Sequence, residues 1–108
     1  MPFTVFLTKD AVDDFTELYD YISANDSPRN AEYVLKRIRK SFSTLSEFPE
    51  QGAYPKELLK LGIKEYREIF FKPFRIIYRI MNKDVYILLI ADGRRDMQAL
   101  LQRRLLQA

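Results

Sequence analysis

The chain opens on a short apolar run, Phe3–Leu7, whose aromatic and β-branched content predicts a first strand. Thr8 then suits a helix N-cap, with Asp10 in the favourable first turn. Val12, Phe15, Leu18, Tyr19 and Ile22 recur at helical spacing, and Asp13, Asp14, Glu17 and Asp20 fill the positions between them. The pattern predicts an amphipathic helix with an acidic outer face, ending near Ala24–Pro28. Ser27 and Pro28 make a second start signal, a cap followed by proline at the first helical position. Ala31, Leu35, Ile38, Phe42 and Leu45 form the next stripe, with Lys36, Arg37, Arg39 and Lys40 largely off it. So few residues join the two helices that they should pack as an antiparallel pair.

Pro49, Gly52 and Pro55 punctuate a loop over Glu47–Pro55, and "KELLKLG" suggests one short helical turn. From Lys64 the period becomes strand-like. "KEYREIFFK" reads as a strand and Lys72–Pro73 as a turn. "FRIIYRIM" alternates Phe74, Ile76, Tyr78 and Ile80 with Arg75, Ile77, Arg79 and Met81. After the polar turn "NKD", the run "VYILLIA" predicts a central strand covered on both faces. "MQALLQRRLL" is helical again, with Met97, Leu100, Leu101 and Leu105 on one stripe. The expected architecture is α+β, in the order β-α-α-β-β-β-α, with an antiparallel sheet and a helical hairpin on one face. Phe74, Ile76 and Tyr78 would face the hairpin, leaving Arg75 and Arg79 on the uncovered face.

With 108 residues and 47% apolar composition, the chain is expected to form one domain, residues 1–108, around a modest core. No apolar run reaches the roughly 18 residues of a membrane span, so no membrane contact is expected. "MPFTVFLTKDAVDDF" lacks the basic and long apolar regions of a secretory signal. The absence of cysteine fits a cytoplasmic protein. The absence of histidine matters more. It removes the usual general base, the usual zinc ligand and any Ser-His-Asp arrangement. Phosphate-binding glycine loops, metal-ligand clusters and nucleophile elbows are missing from the sequence as well.

The net charge of +3 is unevenly spread. Residues 1–62 hold 8 Lys/Arg against 10 Asp/Glu, a net −2. Residues 63–108 hold 10 against 5, a net +5. The basic half could attract an anionic partner, and it contains the one constellation with chemical promise. Arg67, Arg75 and Arg79 come from adjacent strands, and Arg94 and Arg95 follow the next. Alternate side chains of paired strands could gather on one open face. The planar guanidinium suits phosphate or carboxylate. The opposing expectation is ordinary pairing with Glu65, Glu68, Asp84, Asp92 or Asp96. Asp13 and Asp14, on the outside of their helix, are not expected to act as an acid/base pair.

The order of elements, together with "LSEFPEQG", "EYREIFFKPFRIIYRI" and "LLIADGRRD", resembles the ParE/RelE superfamily of bacterial type II toxins. The resemblance covers nearly the whole chain, and its most specific part is Tyr66–Asp96. It implies a toxin neutralised by a cognate antitoxin, with no cofactor and no metal. It also implies one of two activities. RelE-like members cleave mRNA in the ribosomal A site, whereas characterised ParE-like members inhibit DNA gyrase. Arg67, Arg75 and Arg95 match basic positions of the cleaving type. Ile69 stands where RelE has a second lysine, and the C-terminal tyrosine position falls near Leu101. With no histidine and no tyrosine beyond Tyr86, the proton-transfer half of an RNase site has no positioned candidate.

The resemblance is therefore closer to ParE than to RelE. It implies gyrase inhibition, with ribosome-dependent cleavage of mRNA as the alternative and a plain nucleic-acid-binding module as a third reading. The basic amphipathic tail "GRRDMQALLQRRLL" resembles ParE-type tails that could contact a target or an antitoxin. Met97 and Leu101 thus join Arg67, Arg75, Arg79, Arg94 and Arg95 as binding candidates. The competing expectation is that the tail's apolar residues pack on the sheet. By the same analogy, an acidic, amphipathic antitoxin segment would fold over the arginine face, a helix groove, or both.

Overall fold

The computed structural model describes residues 2–106. The elements run β1 (Thr4–Leu7), α1 (Lys9–Asn25), α2 (Pro28–Glu47), α3 (Lys56–Leu59), β2 (Arg67–Phe71), β3 (Phe74–Met81), β4 (Asp84–Asp92) and α4 (Met97–Leu101). A π-helical turn, Gln102–Leu106, continues α4. Both long helices start where their caps indicate. Thr8 accepts from the Ala11 amide and Ser27 from the Asn30 amide, so each side chain satisfies a donor that the first turn leaves orphaned.

The strands lie in the order β1-β4-β3-β2, so β4 is central, as its unbroken apolar run requires. Tight turns join β2 to β3 and β3 to β4, and both pairs are antiparallel. Asn82, at φ 58°, supplies the left-handed residue in the second turn. The expected all-antiparallel sheet needs correction at one edge: β1 pairs with β4 in parallel. No turn links these two strands, so hairpin geometry does not dictate the direction of β1.

The β3–β4 register shifts at Ile77/Tyr78: Ile77 opposes Leu89 while Tyr78 opposes Ile87. Leu88 is thereby left over as a bulge. One core lies between the sheet and the α1–α2 hairpin, built from Ala11, Ile22, Ile38, Leu45, Ile76, Tyr78 and Ile87. A second core lies on the opposite face, where Leu58, Met97, Leu100 and Leu101 cover Ile77, Leu89 and Ala91. The face expected to stay open is therefore half closed, by α3 and α4.

Two positions on α1 differ from the periodic reading. Val12 is 47% exposed, and Ala11 is buried in its place. Asp14 points inward rather than to the acidic surface. Its carboxylate accepts from the Ile90 amide at 3.0 Å and from Arg104. Residues 11, 14, 15, 18 and 22 follow the helical repeat, so Asp14 falls on the inner stripe by phase.

Candidate functional site

The five arginines singled out by sequence do not share a face. The β2–β3 register sets Arg67 opposite Tyr78 and Phe70 opposite Arg75, on alternate sides of the sheet. Arg67 thus lies on the helix side. It donates to the Gly52 carbonyl at 2.9 Å, the Glu50 carbonyl at 3.3 Å and the Tyr54 hydroxyl at 3.2 Å. Its guanidinium also stacks over the Tyr54 ring at 4.6 Å. It fastens the loop between α2 and α3.

Arg75 is buried, contrary to the open-face expectation. Its Nη1 and Nη2 donate to the two Glu57 oxygens at 2.8 and 2.7 Å, and its Nε donates to Glu68 at 2.7 Å. The guanidinium thereby ties α3 to two strands. One cation faces two carboxylates here, and the imbalance shows in their titration. The hydrogen bonds from Arg75 hold Glu57 below its ordinary value of 4.5. Burial outweighs the same partner at Glu68 and pushes that carboxyl up. Arg75 itself is held still more firmly charged, chiefly by Glu57. Gly93 belongs to this knot. A Cβ there would stand 2.8 Å from Arg75 Cδ and 3.2 Å from the Pro73 carbonyl oxygen.

Arg79 lies on the same side as Arg75, beyond the edge of the second core, with its guanidinium 5.7 Å from the centre of the Tyr66 ring. Arg94 is exposed and paired with Asp92 at 2.6 Å. That pairing holds the Asp92 carboxyl below its ordinary range. Arg95 is exposed beside it. Met97 and Leu101 are buried in the second core. As contact residues they are corrected: an apolar side chain packed against Ile77 and Leu89 cannot also meet a partner while the fold is intact.

Arg94 and Arg95 instead border a groove of about 870 Å³, which runs between the tip of the α1–α2 hairpin and the β2–β3 turn. Leu18, Ile22, Val34, Phe71 and Phe74 give it an apolar lining. Tyr21 and Tyr33 stand at its rim, 67% and 56% exposed. On the sheet-side rim Lys72, Arg94 and Arg95 outnumber the one carboxylate Asp92, which pairs with Arg94, while Glu17 and Asp26 make the helix-side rim acidic. Neither tyrosine was legible as a site residue, because nothing in its local pattern signals that the hairpin tip parts from the sheet. Sheet-side arginines above an apolar trough suit a partner that is apolar on one side and acidic on another.

A family model described as the ParE toxin of the type II toxin–antitoxin system, parDE, matches residues 5–97. Toxin ParE3 of Caulobacter vibrioides is 30% identical over 100 residues, covering 93% of this chain and 96% of that protein. Among solved structures, the chromosomal ParDE toxin–antitoxin system from P. aeruginosa aligns with a TM-score of 0.71 at 24% identity. That alignment covers 83% of this chain and 95% of the other. The toxin–antitoxin complex RelBE2 from Mycobacterium tuberculosis aligns with a TM-score of 0.59 at 24% identity, covering 85% and 99%. A variant of E. coli RelE in the free state aligns at 0.64 and 12% identity, covering 97% and 100%. At these identities the structural likenesses establish the shared fold.

Proposed function

The chain belongs to the ParE toxin family of type II toxin–antitoxin systems, and from that premise we propose that it acts by binding, inhibiting DNA gyrase without cutting RNA. A cognate antitoxin holds it silent. The observation that carries the binding reading is the state of Arg75. An arginine that stabilises a reacting phosphate needs its fork free to meet it. Here both prongs of its fork are closed by Glu57 and its Nε by Glu68. Arg67 is turned to the opposite side of the sheet, so the three positions matched to RNA cleavage do not share one face. A cationic cluster split between faces cannot stabilise one developing charge.

The groove at the hairpin tip is the seat assigned to the antitoxin. Its length of apolar lining suits the non-polar face of an amphipathic segment, and Lys72, Arg94 and Arg95 suit carboxylates along that segment's edge. The whole reading places the protein in the cytoplasm with its target. No helix of the described residues is long and apolar enough to cross a membrane.

The test is a two-arm assay of the purified chain. One arm follows gyrase supercoiling and cleavage-complex formation, and the other follows mRNA on programmed ribosomes. Inhibited gyrase with intact mRNA is the expected result. Cut mRNA with unaffected gyrase would overturn the binding reading and send the search to the tyrosines near Arg79.

A further inference from the structure

The half of the sheet that α3 and α4 leave bare carries exposed Phe6 and Met81, with Arg79 and Tyr86 half-buried between them. Phe6 pairs in register with Tyr86, and Tyr86 with Arg79, so the three lie side by side across β1, β4 and β3. The rings of Phe6 and Tyr86 stack at 5.5 Å, and Phe6 remains 44% exposed. Met81, two residues along from Arg79 and on the same face, is 46% exposed. Tyr66 forms the floor beneath the Arg79 guanidinium. Isolated exposed apolar residues are ordinary, but a contiguous row joined to an arginine marks an interaction surface.

We propose that this surface, Phe6, Arg79, Met81 and Tyr86 over the buried Tyr66 ring, engages the toxin's target, and that the target is a protein presenting carboxylates beside apolar side chains. The inference rests on the reading of this chain as a toxin that acts by binding. It assigns target and antitoxin to different faces, since the groove lies on the helix side.

Three observations select the occupant. Arg75, on the same side of the sheet, is closed by two carboxylates, whereas its strand neighbour Arg79 has no ion pair among the described residues. A cleft of about 220 Å³ adjoins it at the β2 edge of the sheet, lined also by Lys64, Glu65, Arg67 and Ile80; with Arg67 held on the helix side, Lys64 and Arg79 stand against the one carboxylate Glu65, a balance that favours incoming negative charge. The composition is that of a protein interface, where aromatic residues, methionine and arginine are enriched and supply the strongest contacts. A nucleic acid fits less well. Its phosphates need cations along a path, yet here they gather at one end, while Asp84 pairs with Met81 at the other. The Phe6 and Tyr86 faces that bases would stack on are turned partly toward each other.

The experiment compares the full chain with Arg79→Glu and Met81→Asp. It measures growth arrest on induction, binding to purified gyrase, affinity for the antitoxin by calorimetry, and melting temperature. Each variant should weaken target binding and growth arrest by about ten-fold or more, the size of one hot-spot contact. Antitoxin affinity should stay within about three-fold, because the groove is untouched. Variants that arrest growth like the wild type would overturn the proposal. So would a parallel loss of antitoxin affinity, or wild-type binding to a single-stranded RNA oligonucleotide that Arg79→Glu abolishes. A wild type that arrests growth without inhibiting gyrase would remove gyrase as the target, and the growth-arrest comparison would still decide the surface. A wild type that never arrests growth would overturn the toxin reading and this surface with it.

Discussion

The two terminal nitrogens of Arg104 each donate at 2.9 Å to one oxygen of the Asp14 carboxylate, 90 residues away in the chain. Nη1 also donates to the Leu88 carbonyl at 2.9 Å, at the bulge in β4. The same Asp14 accepts from the Ile90 amide. One ion pair therefore fastens the C-terminal turn to α1 across the central strand. Asp14→Ala should cost about 2 kcal/mol, since it strands a partly buried charge and an amide together. At this chain length that is a fall of roughly 10 °C in melting temperature. Arg104→Ala should cost a similar amount, and the double variant should cost clearly less than the sum. Full additivity in that cycle would show that the pair does not act as a clamp.

Tyr78 performs a comparable task for the loop between α2 and α3. Its fully buried hydroxyl donates to the Pro49 carbonyl at 2.6 Å and accepts from the Gly52 amide at 3.0 Å. Tyr78→Phe leaves both groups unpaired and should cost about 2 kcal/mol. Gly52→Ala should cost at least as much. Its Cβ would stand 2.5 Å from the Glu68 carbonyl oxygen and 2.6 Å from the Tyr78 hydroxyl, and the first of these belongs to a paired strand that cannot give way. Urea denaturation of the two variants ranks them. A milder Gly52→Ala would show that the loop shifts freely and that Tyr78 does not pin it.

Most of the fold is legible in local pattern because caps, proline positions and periodicity act within a few residues. Thr8, Ser27 and Pro28 mark helix starts that the structure keeps. Met97, Leu100, Leu101 and Leu105 share one stripe, and the structure buries the first three while Leu105 packs against the same core. The parallel direction of β1 and the destination of each arginine depend instead on pairings between distant segments. Alternation along β3 gives the side of the sheet for Arg75, but not that α3 delivers Glu57 onto that side. The arginines of neighbouring strands read as gathered because the register was unknown. Arg67 opposes Tyr78 rather than Ile77, and that single step sends it to the other face. Asp14 is the exception, since its inward phase could be read from Ala11, Leu18 and Ile22.

The Arg75 knot predicts how stability varies with pH. Glu68 titrates above its ordinary 4.5 in the folded chain, so the native state binds that proton more tightly than the unfolded one. Its contribution therefore improves as pH falls from neutral through its folded value toward 4.5. Glu57 and Asp92 are depressed, so their contributions are present above their ordinary values of 4.5 and 3.8 and are lost as pH falls through their folded values. The expected curve holds or rises slightly on mild acidification and then drops steeply. Glu68→Gln removes the excess buried charge and should abolish the mildly acidic gain while keeping the acid drop. Arg75→Ala should cost about 3–5 kcal/mol by stranding two carboxylates, with toxicity falling only as far as folding does. Thermal melts from neutral to strongly acid pH decide this. A wild-type curve that declines steadily from neutrality would show that Glu68 is not the group under strain.

The antitoxin groove makes the most direct functional prediction, because its apolar and charged parts should act on different rates. Tyr21 and Tyr33 stand exposed where a partner helix would pack, and burying such rings gives binding its largest single contacts. Tyr21→Ala and Tyr33→Ala should each weaken antitoxin binding by about ten-fold, mainly through faster dissociation. Reversing Arg94 and Arg95 to Glu should act mainly on association and flatten its salt dependence, since both are exposed rim charges. All four substitutions lie away from Phe6, Arg79 and Tyr86, so the variants should still arrest growth and should do so even when the antitoxin is co-expressed. Stopped-flow binding at two ionic strengths, beside a co-expression growth assay, measures both halves. Crosslinks that fell only on Asp10, Asp13 and Asp20, the solvent face of α1, would move the antitoxin's seat out of the groove altogether.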